Sequence, residues 1–325
     1  MDVPVTRTIP IAERLPLCLV TGFLGSGKTT LLGQVAREQT GQRLVFLVNE
    51  VAARDVDGQT LRGDVRPPAR VVPVPGGSIF CTCLATKFIE VLGRIAYDHA
   101  ARPLDGLVVE ASGVADPRAL RKLLRETGLD QRIELRRVIS VLDPGTLPRL
   151  IRTLPNMAAQ IEAADTVLLN KTDLFSAEET LAASQLVGEL NSRAQLILAA
   201  HGLPLPGIFT PAQGNTTEGD LIGCQDPRFG KAVFEQTGLL REDQIRDVIQ
   251  HAGEGLYRAK GTVRDDSSSL HVDYSSGHVR IDRTEATLQR PGLVVIASPD
   301  TLPRVLESLC VAQSPDASLT IGAEP

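Results

Sequence analysis

An α/β domain built on a mainly parallel sheet, followed by a smaller α+β domain, is the fold class that the sequence predicts. As far as about residue 205, short apolar runs alternate with stretches of helical spacing, which is the pattern of parallel strands covered by helices on both faces. Residues 201–230 are then rich in Gly, Pro, Thr and polar residues, which indicates a linker. A mixture of short strands and two helical segments comes after it.

These changes along the chain predict five segments. Residues 1–16 form an N-terminal extension, 17–205 the α/β domain, 206–235 the linker, 236–312 the small α+β domain and 313–325 a loose tail. A chain of 325 residues is long enough for one large and one small hydrophobic core.

The apolar runs predict the strands in order. Those of the first domain are LPLCLVTGF, RLVFLVNE, LDGLVVEAS, LRRVISVLD, ADTVLLNK and AQLILAA, with helices such as KTTLLGQVAREQ, TKFIEVLGRIAYDH and PRALRKLLRETG between them. The small domain is predicted to contain a helix (REDQIRDVIQHAG), strands (LYRAKGTVR, SLHVDYS, HVRID, GLVVIAS) and a last helix (DTLPRVLESL). Its YSSGH stretch predicts a hairpin turn.

Composition narrows the class of protein. The net charge of −5 and an aromatic content of 3% without Trp argue against binding nucleic acid or an anionic membrane. No apolar run is long enough to cross a bilayer, and the N-terminus lacks the apolar core of a secretory signal, so the cytoplasm is the expected location. The five cysteines are odd in number and irregularly spaced, unlike a disulfide framework.

The segment GFLGSGKT, residues 22–29, fits the phosphate-binding pattern G-x-x-x-x-G-K-[ST] between a predicted strand and a predicted helix. Its backbone N–H groups and the helix N-terminus would cradle phosphates, Lys28 would reach the β- and γ-phosphates, and Thr29 would ligate Mg²⁺. An ordinary glycine-rich turn is the alternative. A P-loop NTPase domain is therefore predicted, with phosphate contacts from Gly22, Gly25, Ser26, Gly27, Lys28, Thr29 and Thr30.

The segment LLNKTD predicts which base is bound. The Asp173 carboxylate can accept from both N1–H and the 2-amino group of guanine, whereas adenine would leave it unpaired. Asn170 would fix the loop and approach the base, and the stem of Lys171 would cover its plane. The pattern alone also fits a helix N-cap. An ATP-using kinase is a further alternative, against which Asp173 argues.

Between these motifs, LVVEASGVADP places an acid at a strand end. Glu110 could hold Mg²⁺ through water or orient the attacking water, and Gly113 could offer its N–H to the γ-phosphate and so distinguish GTP from GDP. A helix N-terminal acid is the alternative role for Glu110. Glu50 also follows a strand, before a polar segment that could be a switch loop, and is a further catalytic candidate.

Together these stretches resemble the CobW-type GTPases, relatives of the nickel-insertion GTPases for urease and hydrogenase. The matching segments are CLVTGFLGSGKTTLL, VNEVAARDVDG, VVEASGVADP, QIEAADTVLLNKTDL and LYRAKG. The resemblance implies a slow, Mg²⁺-dependent GTPase that alternates between GTP and GDP and acts on a client protein, often in metal delivery. A homodimer is a further option, and a GTP-driven interaction switch without a transition metal is the alternative.

The resemblance also implies a Cys-x-Cys-Cys metal turn after a glycine pair, from which GGSIFCTC departs. Ser78 and Phe80 occupy the first two thiol positions, Cys81 keeps the third, and Cys83 is an additional thiol. Zinc needs further ligands, for which the candidates are Glu50, His99 and Glu110. Cys81 and Cys83 therefore form either a zinc site or a pair of buried thiols, and Ser78 and Phe80 favour the second.

Overall fold

A computed structural model describes the protein over residues 14–49, 61, 63–74, 85–113, 115–205, 207–212, 219, 230–266, 268–275, 277–284 and 291–314. The chain divides into two compact units, Met1–Cys224 and Gln225–Pro325.

The first unit is built on a seven-stranded parallel sheet with the strand order β3-β2-β4-β1-β5-β6-β7. This confirms the predicted α/β class. The strands are β1 (Leu15–Thr21), β2 (Leu44–Asn49), β3 (Arg70–Val74), β4 (Gly106–Glu110), β5 (Ile133–Leu142), β6 (Thr166–Leu169) and β7 (Gln195–Leu198). The helices are α1 (Lys28–Glu38), α2 (Ala85–Ala101), α3 (Arg118–Glu126), α4 (Leu147–Thr153), α5 (Pro155–Glu162) and α6 (Ala177–Leu190).

The central strand β1 is apolar at consecutive positions because both of its faces are covered. Leu17 and Leu19 enter one core together with Phe88 of α2, whereas Cys18 enters the opposite core with Leu31 of α1. Successive side chains of a strand point to opposite faces, so a strand between two helical layers needs no polar positions. Each such large side chain contributes about 1.5–3 kcal/mol by burial.

The second unit contains a five-stranded antiparallel sheet with the order β11-β10-β9-β12-β8, which confirms the predicted smaller α+β domain. Its strands are β8 (Gly230–Glu235), β9 (Leu256–Arg264), β10 (Ser269–Ser275), β11 (His278–Thr284) and β12 (Gly292–Ala297). Helices α7 (Glu242–Ala252) and α8 (Thr301–Ala312) supply Ile245, Val305 and Leu309 to the core of this unit.

Two of the predicted segment limits need correction. Residues 230–235, placed in the linker of residues 206–235, form β8, which pairs with β12 along its length. The predicted loose tail of residues 313–325 is attached at its start, because Gln313 Oε1 accepts hydrogen bonds from the N–H groups of Thr237 (2.7 Å) and Gly238 (2.8 Å). Ser314 forms a bridge with Leu239.

Helix α2, with 17 residues, is the longest of the helices in the described ranges, and it carries charged residues such as Lys87 and Glu90. Over the residues that the structure describes, no helix has the length and apolar character needed to cross a bilayer.

Candidate functional site

The carboxyl ends of four neighbouring strands bring the predicted site residues to one edge of the sheet. Val20 of β1 lies beside Glu110 of β4, and Thr21 lies beside Ser140 of β5. Asn170, which follows β6, donates its N–H to the Leu142 carbonyl at 2.7 Å. Open α/β sheets bind ligands outside this edge, in the crevice next to the strand ends.

The loop between β1 and α1 depends on glycine at three positions. Gly22, Gly25 and Gly27 have φ angles of 134°, 81° and 107°, which residues other than glycine rarely adopt. A Cβ on Gly22 would also overlap the Val141 carbonyl, and one on Gly27 would overlap the side-chain amide of Asn170. The loop therefore wraps closely against β5 and the segment after β6 before α1 begins at Lys28.

Lys28 turns its ammonium group back over this loop. Its Nζ donates to the carbonyl oxygens of Gly22 (2.9 Å) and Phe23 (3.0 Å), and the residue is only 6% exposed. The hydroxyl of Ser26 is buried and has no hydrogen-bond partner among the described residues. A cation and an available hydroxyl donor thus meet at the N-terminus of α1, where a helix attracts anions.

Thr29 and Glu110 bring two oxygen ligands together across the β1–β4 boundary. Thr29 Oγ1 lies 3.2 Å from Glu110 Oε1 and 3.5 Å from Oε2, and Glu110 is 5% exposed. Adjacent oxygens around an octahedral Mg²⁺ are about 2.9–3.0 Å apart, as its ligand distances of 2.0–2.1 Å require. A hydroxyl and a carboxylate at this separation therefore fit a Mg²⁺ ion. Thr30, the next residue, is exposed on α1.

Asn170 connects the phosphate loop to the loop that follows β7. Its Nδ2 donates to the Ser26 carbonyl at 2.9 Å, and its Oδ1 accepts from Gly202 N–H at 2.9 Å. The side chain is 2% exposed, so both bonds lie in the protein interior. Lys171 then takes a φ of 63°, unusual for a residue with a side chain, which turns the chain sharply after Asn170.

Asp173 lies at the surface next to a histidine that the sequence did not single out. His201 Nε2 is 3.6 Å from Asp173 Oδ2, and the two side chains are 79% and 36% exposed. The loop around His201 is held by Gln34 of α1, whose Nε2 donates to the His201 carbonyl at 3.2 Å. The only sequence signal for this loop is a His-Gly pair directly after the last apolar run of the first domain.

Gly113 lies against the phosphate loop. A Cβ built on it would come within 2.7 Å of Leu24 N, which is closer than real side chains approach. Glycine is therefore required for the loop after β4 to come this close to the loop after β1. Glu110, Gly113 and the phosphate loop form one continuous wall of the site.

The predicted metal ligands are not brought together in the described ranges. Cys81, Cys83 and Glu50 lie outside those ranges. His99 lies apart from Glu110: its Nδ1 accepts from Leu104 N–H at 3.0 Å, just before β4 begins, whereas Glu110 ends that strand. Burial raises the pKa of Cys18, so this thiol stays protonated in the core. Within the described ranges, no group of three His, Cys, Asp or Glu side chains could hold a metal ion.

A parallel sheet whose first strand leads through G-x-x-x-x-G-K-T into a helix, with a buried acid at a neighbouring strand end, defines a P-loop nucleotide-binding protein. The sequence profile of the nucleotide-binding domain "CobW/HypB/UreG" matches residues 16–198. The chain belongs to this family, as its resemblance to the CobW-type GTPases implied.

Three curated relatives show the extent of the likeness. "Zinc chaperone CobW" of Pseudomonas aeruginosa is 29% identical over 226 residues, which are 60% of this chain and 60% of that protein. "Zinc-regulated GTPase metalloprotein activator 1" of Schizosaccharomyces pombe is 29% identical over 194 residues, 58% of this chain and 47% of that protein. "Zinc chaperone YjiA" of Escherichia coli is 29% identical over 229 residues, which are 69% of this chain and 70% of that protein. The alignments with the first two thus span about half to three fifths of those relatives.

Among solved structures, the Zn(II)-bound YjiA GTPase from E. coli aligns with 93% of this chain and 99% of its own, with a TM-score of 0.47 and 20% identity. The fold of the present chain is established by its own strand order.

Proposed function

We propose that this chain is a guanine-specific, Mg²⁺-dependent GTP-hydrolysing switch that assists metal delivery to a client protein. The observation that carries the proposal is the tether formed by Asn170. By binding both the Ser26 carbonyl and Gly202 N–H, this side chain holds the phosphate loop at a fixed distance from the segment that presents Asp173. Such a tether favours a ligand with a polyanion at one end and a guanine base at the other.

At the phosphate end, the chain offers complementary charge without rearranging its backbone. The Lys28 ammonium, held by two loop carbonyls, would exchange them for phosphate oxygens, and the Ser26 hydroxyl would gain an acceptor. A bound Mg²⁺ would neutralise phosphate charge between Thr29 and Glu110. Glu110 itself would orient the attacking water, for which Glu50 is the other candidate.

At the base end, guanine would compete with His201 for the Asp173 carboxylate. The contact is largely solvent-exposed, and even exposed ion pairs contribute only about 0.2–1 kcal/mol. Two hydrogen bonds from guanine to a carboxylate are stronger, at about 1.5–3 kcal/mol each. Guanine binding is therefore expected to displace His201 from Asp173.

Replacing Glu110 by Gln is expected to slow GTP hydrolysis by about 100-fold while GDP affinity stays within about threefold of the parent. The amide keeps the size of the side chain but loses the charge that would act on water or Mg²⁺ in the transition state. Single-turnover phosphate release and GDP titration give the two quantities, with Glu126→Gln on the exposed face of α3 as the control. A Glu110→Gln protein that is unfolded, or that binds no GTP, would indicate a structural role.

The metal-delivery part of the proposal is supported by the relatives, whose names describe zinc chaperones and a zinc-regulated GTPase metalloprotein activator. In this chain the zinc ligands proposed are Cys81 and Cys83, although Ser78 and Phe80 stand at two thiol positions of the family turn. Cys18 is excluded because its thiol is buried and protonated. The partners proposed are GTP, a client protein that accepts zinc and, as a further option, a second copy of the chain.

If Cys81 and Cys83 hold zinc, the purified protein should bind it with submicromolar affinity, release protons on binding and bind it more weakly as the pH falls, because both thiols must be ionised. Zinc titrations with GTP or GDP bound should give different affinities, since γ-phosphate orders the loops of such sites. Cys81→Ser/Cys83→Ser should lose the zinc, whereas the exposed Cys310→Ser serves as the matched control. An unchanged zinc content in the double variant, or no tight zinc binding in the parent, would favour the interaction switch without a transition metal.

A further inference from the structure

A buried glutamine of α5 is attached to the loop that carries Gly113. Gln160 is 0% exposed, and its Nε2 donates to the carbonyl oxygens of Gly113 (3.3 Å) and Ala115 (3.1 Å). Its Oε1 is also buried and has no hydrogen-bond partner among the described residues. Neither the nucleotide motifs nor the fold of the sheet accounts for a polar side chain at this interior position of a short helix.

An ion triad lies where the same loop enters α3. Arg118 donates through Nε and Nη2 to both carboxylate oxygens of Asp116, at 3.0–3.1 and 2.7 Å, and through Nη1 to Glu162 of α5 at 3.3 Å. These hydrogen bonds to Asp116 are the main reason why the pKa of Arg118 is raised above its usual value. Asp116 is buried, whereas the side chains of Arg118 and Glu162 are 29% and 42% exposed. We call Gln160, Glu162, Asp116 and Arg118 together the α5 clamp.

We propose that Gln160 is a positioning residue for triphosphate recognition: through the α5 clamp it presents Gly113 to the terminal phosphate. The inference rests on the proposed function, because Gly113 N–H is the group expected to contact the γ-phosphate and not the β-phosphate. With the carbonyls of Gly113 and Ala115 anchored, this loop has fewer conformations to lose when the N–H engages phosphate. The clamp therefore acts selectively on the triphosphate complex.

Among the described residues, no group donates a hydrogen bond to the buried Gln160 Oε1. A buried acceptor without a donor destabilises the conformation in which it occurs. A movement of the loop that brings one of its N–H groups to Oε1 would remove this cost, whereas the bonds through Nε2 favour the present arrangement.

The clamp also contacts the segment that leads out of the α/β sheet. Gly219 N–H donates to the Arg118 carbonyl at 3.2 Å, and a Cβ on Gly219 would come 2.9 Å from the Arg118 Cβ. A displacement of Arg118 must therefore be accommodated at Gly219. Residue 219 lies in the chain between β7 and β8.

The test replaces Gln160 by Met, which has a similar volume but no donor, with Gln185→Met on the exposed surface of α6 as the matched control. We expect Gln160→Met to bind GDP like the parent, to bind a non-hydrolysable GTP analogue about tenfold more weakly and to hydrolyse GTP about tenfold more slowly. If Gln160 had only a structural role, Gln160→Met would weaken the binding of both nucleotides equally or would lower only the melting temperature. An unchanged ratio of GTP-analogue to GDP affinity in a folded Gln160→Met protein would overturn the proposal.

A milder variant covers the case in which Gln160→Met fails to fold. Glu162→Gln removes the second contact of Arg118 at a side chain that is 42% exposed, so the fold should be retained. It should lower the GTP-analogue affinity about two- to fourfold without changing GDP binding, since one partly exposed ion pair is lost. An unchanged GTP-analogue affinity in Glu162→Gln would contradict the proposed role of the α5 clamp. A parent protein that binds neither nucleotide would instead contradict the proposed function, which keeps the two failures distinguishable.

Discussion

Replacing Lys28 by alanine is expected to abolish GTP hydrolysis, with a loss of at least about 100-fold, because the ammonium group would stabilise charge that develops on the transferred phosphoryl group. The triphosphate should lose more affinity than the diphosphate, since the cation is closest to the terminal phosphates. Lys28 also donates hydrogen bonds to the carbonyls of Gly22 and Phe23, so its replacement removes two hydrogen bonds that hold the phosphate loop. Some loss of GDP affinity is therefore expected as well.

The measurement is phosphate release under single-turnover conditions, combined with titrations of GDP and of a non-hydrolysable GTP analogue. Lys87→Ala, at an exposed position of α2, provides a control that removes the same charge outside the loop. Turnover of Lys28→Ala at the rate of the parent protein would contradict the assignment of the phosphate loop.

Replacing Asp173 by asparagine is expected to change the base preference from guanine to xanthine. The amide cannot accept both guanine donors, and its NH₂ group can donate to the oxygen that xanthine carries in place of the 2-amino group. GTP affinity should fall by about 100-fold, the cost of one or two hydrogen bonds to a charged group, and xanthosine triphosphate should bind better than to the parent. The variant also loses the His201 contact, which lies at the surface and carries little stability.

Competition titrations with both triphosphates test this change, and Asp247→Asn on the exposed side of α7 is the control for loss of charge. If Asp173→Asn retains full preference for GTP over xanthosine triphosphate, Asp173 does not contact the base and the guanine assignment fails.

The parts of the molecule that sequence predicted well are those in which the information is local. The alternation of apolar runs and helical spacing defines the parallel sheet, and the glycines and Lys28 lie within eight consecutive residues. Because parallel strands end at the same edge, the proximity of Glu110 to Thr29 follows from the motif positions and the fold class alone.

The features that sequence did not predict depend on contacts between distant residues. Gln160 reaches Gly113 across 47 positions, and Gln313 reaches Thr237 across 76. Gln160 opens the family segment QIEAADTVLLNKTDL, but neither that segment nor the sequence around Gln313 indicates which distant backbone groups the two side chains contact. Strand β8 was missed because GKAVFE is short, begins with Gly and follows a long polar segment; its pairing with β12 determines its conformation.

The candidate His99 lies apart from Glu110 for a topological reason. A histidine near the end of a helix looked available as a ligand, but α2 returns the chain to the edge where strands begin. There, His99 accepts a hydrogen bond from Leu104 N–H. Nucleotide and metal ligands would be needed at the opposite edge, where the strands end. Residue type alone could not reveal this, because the distance between His99 and Glu110 depends on the direction of β4.

Nucleotide hydrolysis by the parent protein tests the central claim most directly. Purified protein is incubated with GTP or with ATP at the same concentration, once in the presence of Mg²⁺ and once with excess EDTA. Phosphate release is followed over many hours because turnover is expected to be slow. We predict hydrolysis of GTP that requires Mg²⁺, and ATP hydrolysis at least about 100-fold slower, since adenine offers no donor pair to Asp173. Equal hydrolysis of ATP and GTP, or hydrolysis that persists in EDTA, would contradict the account.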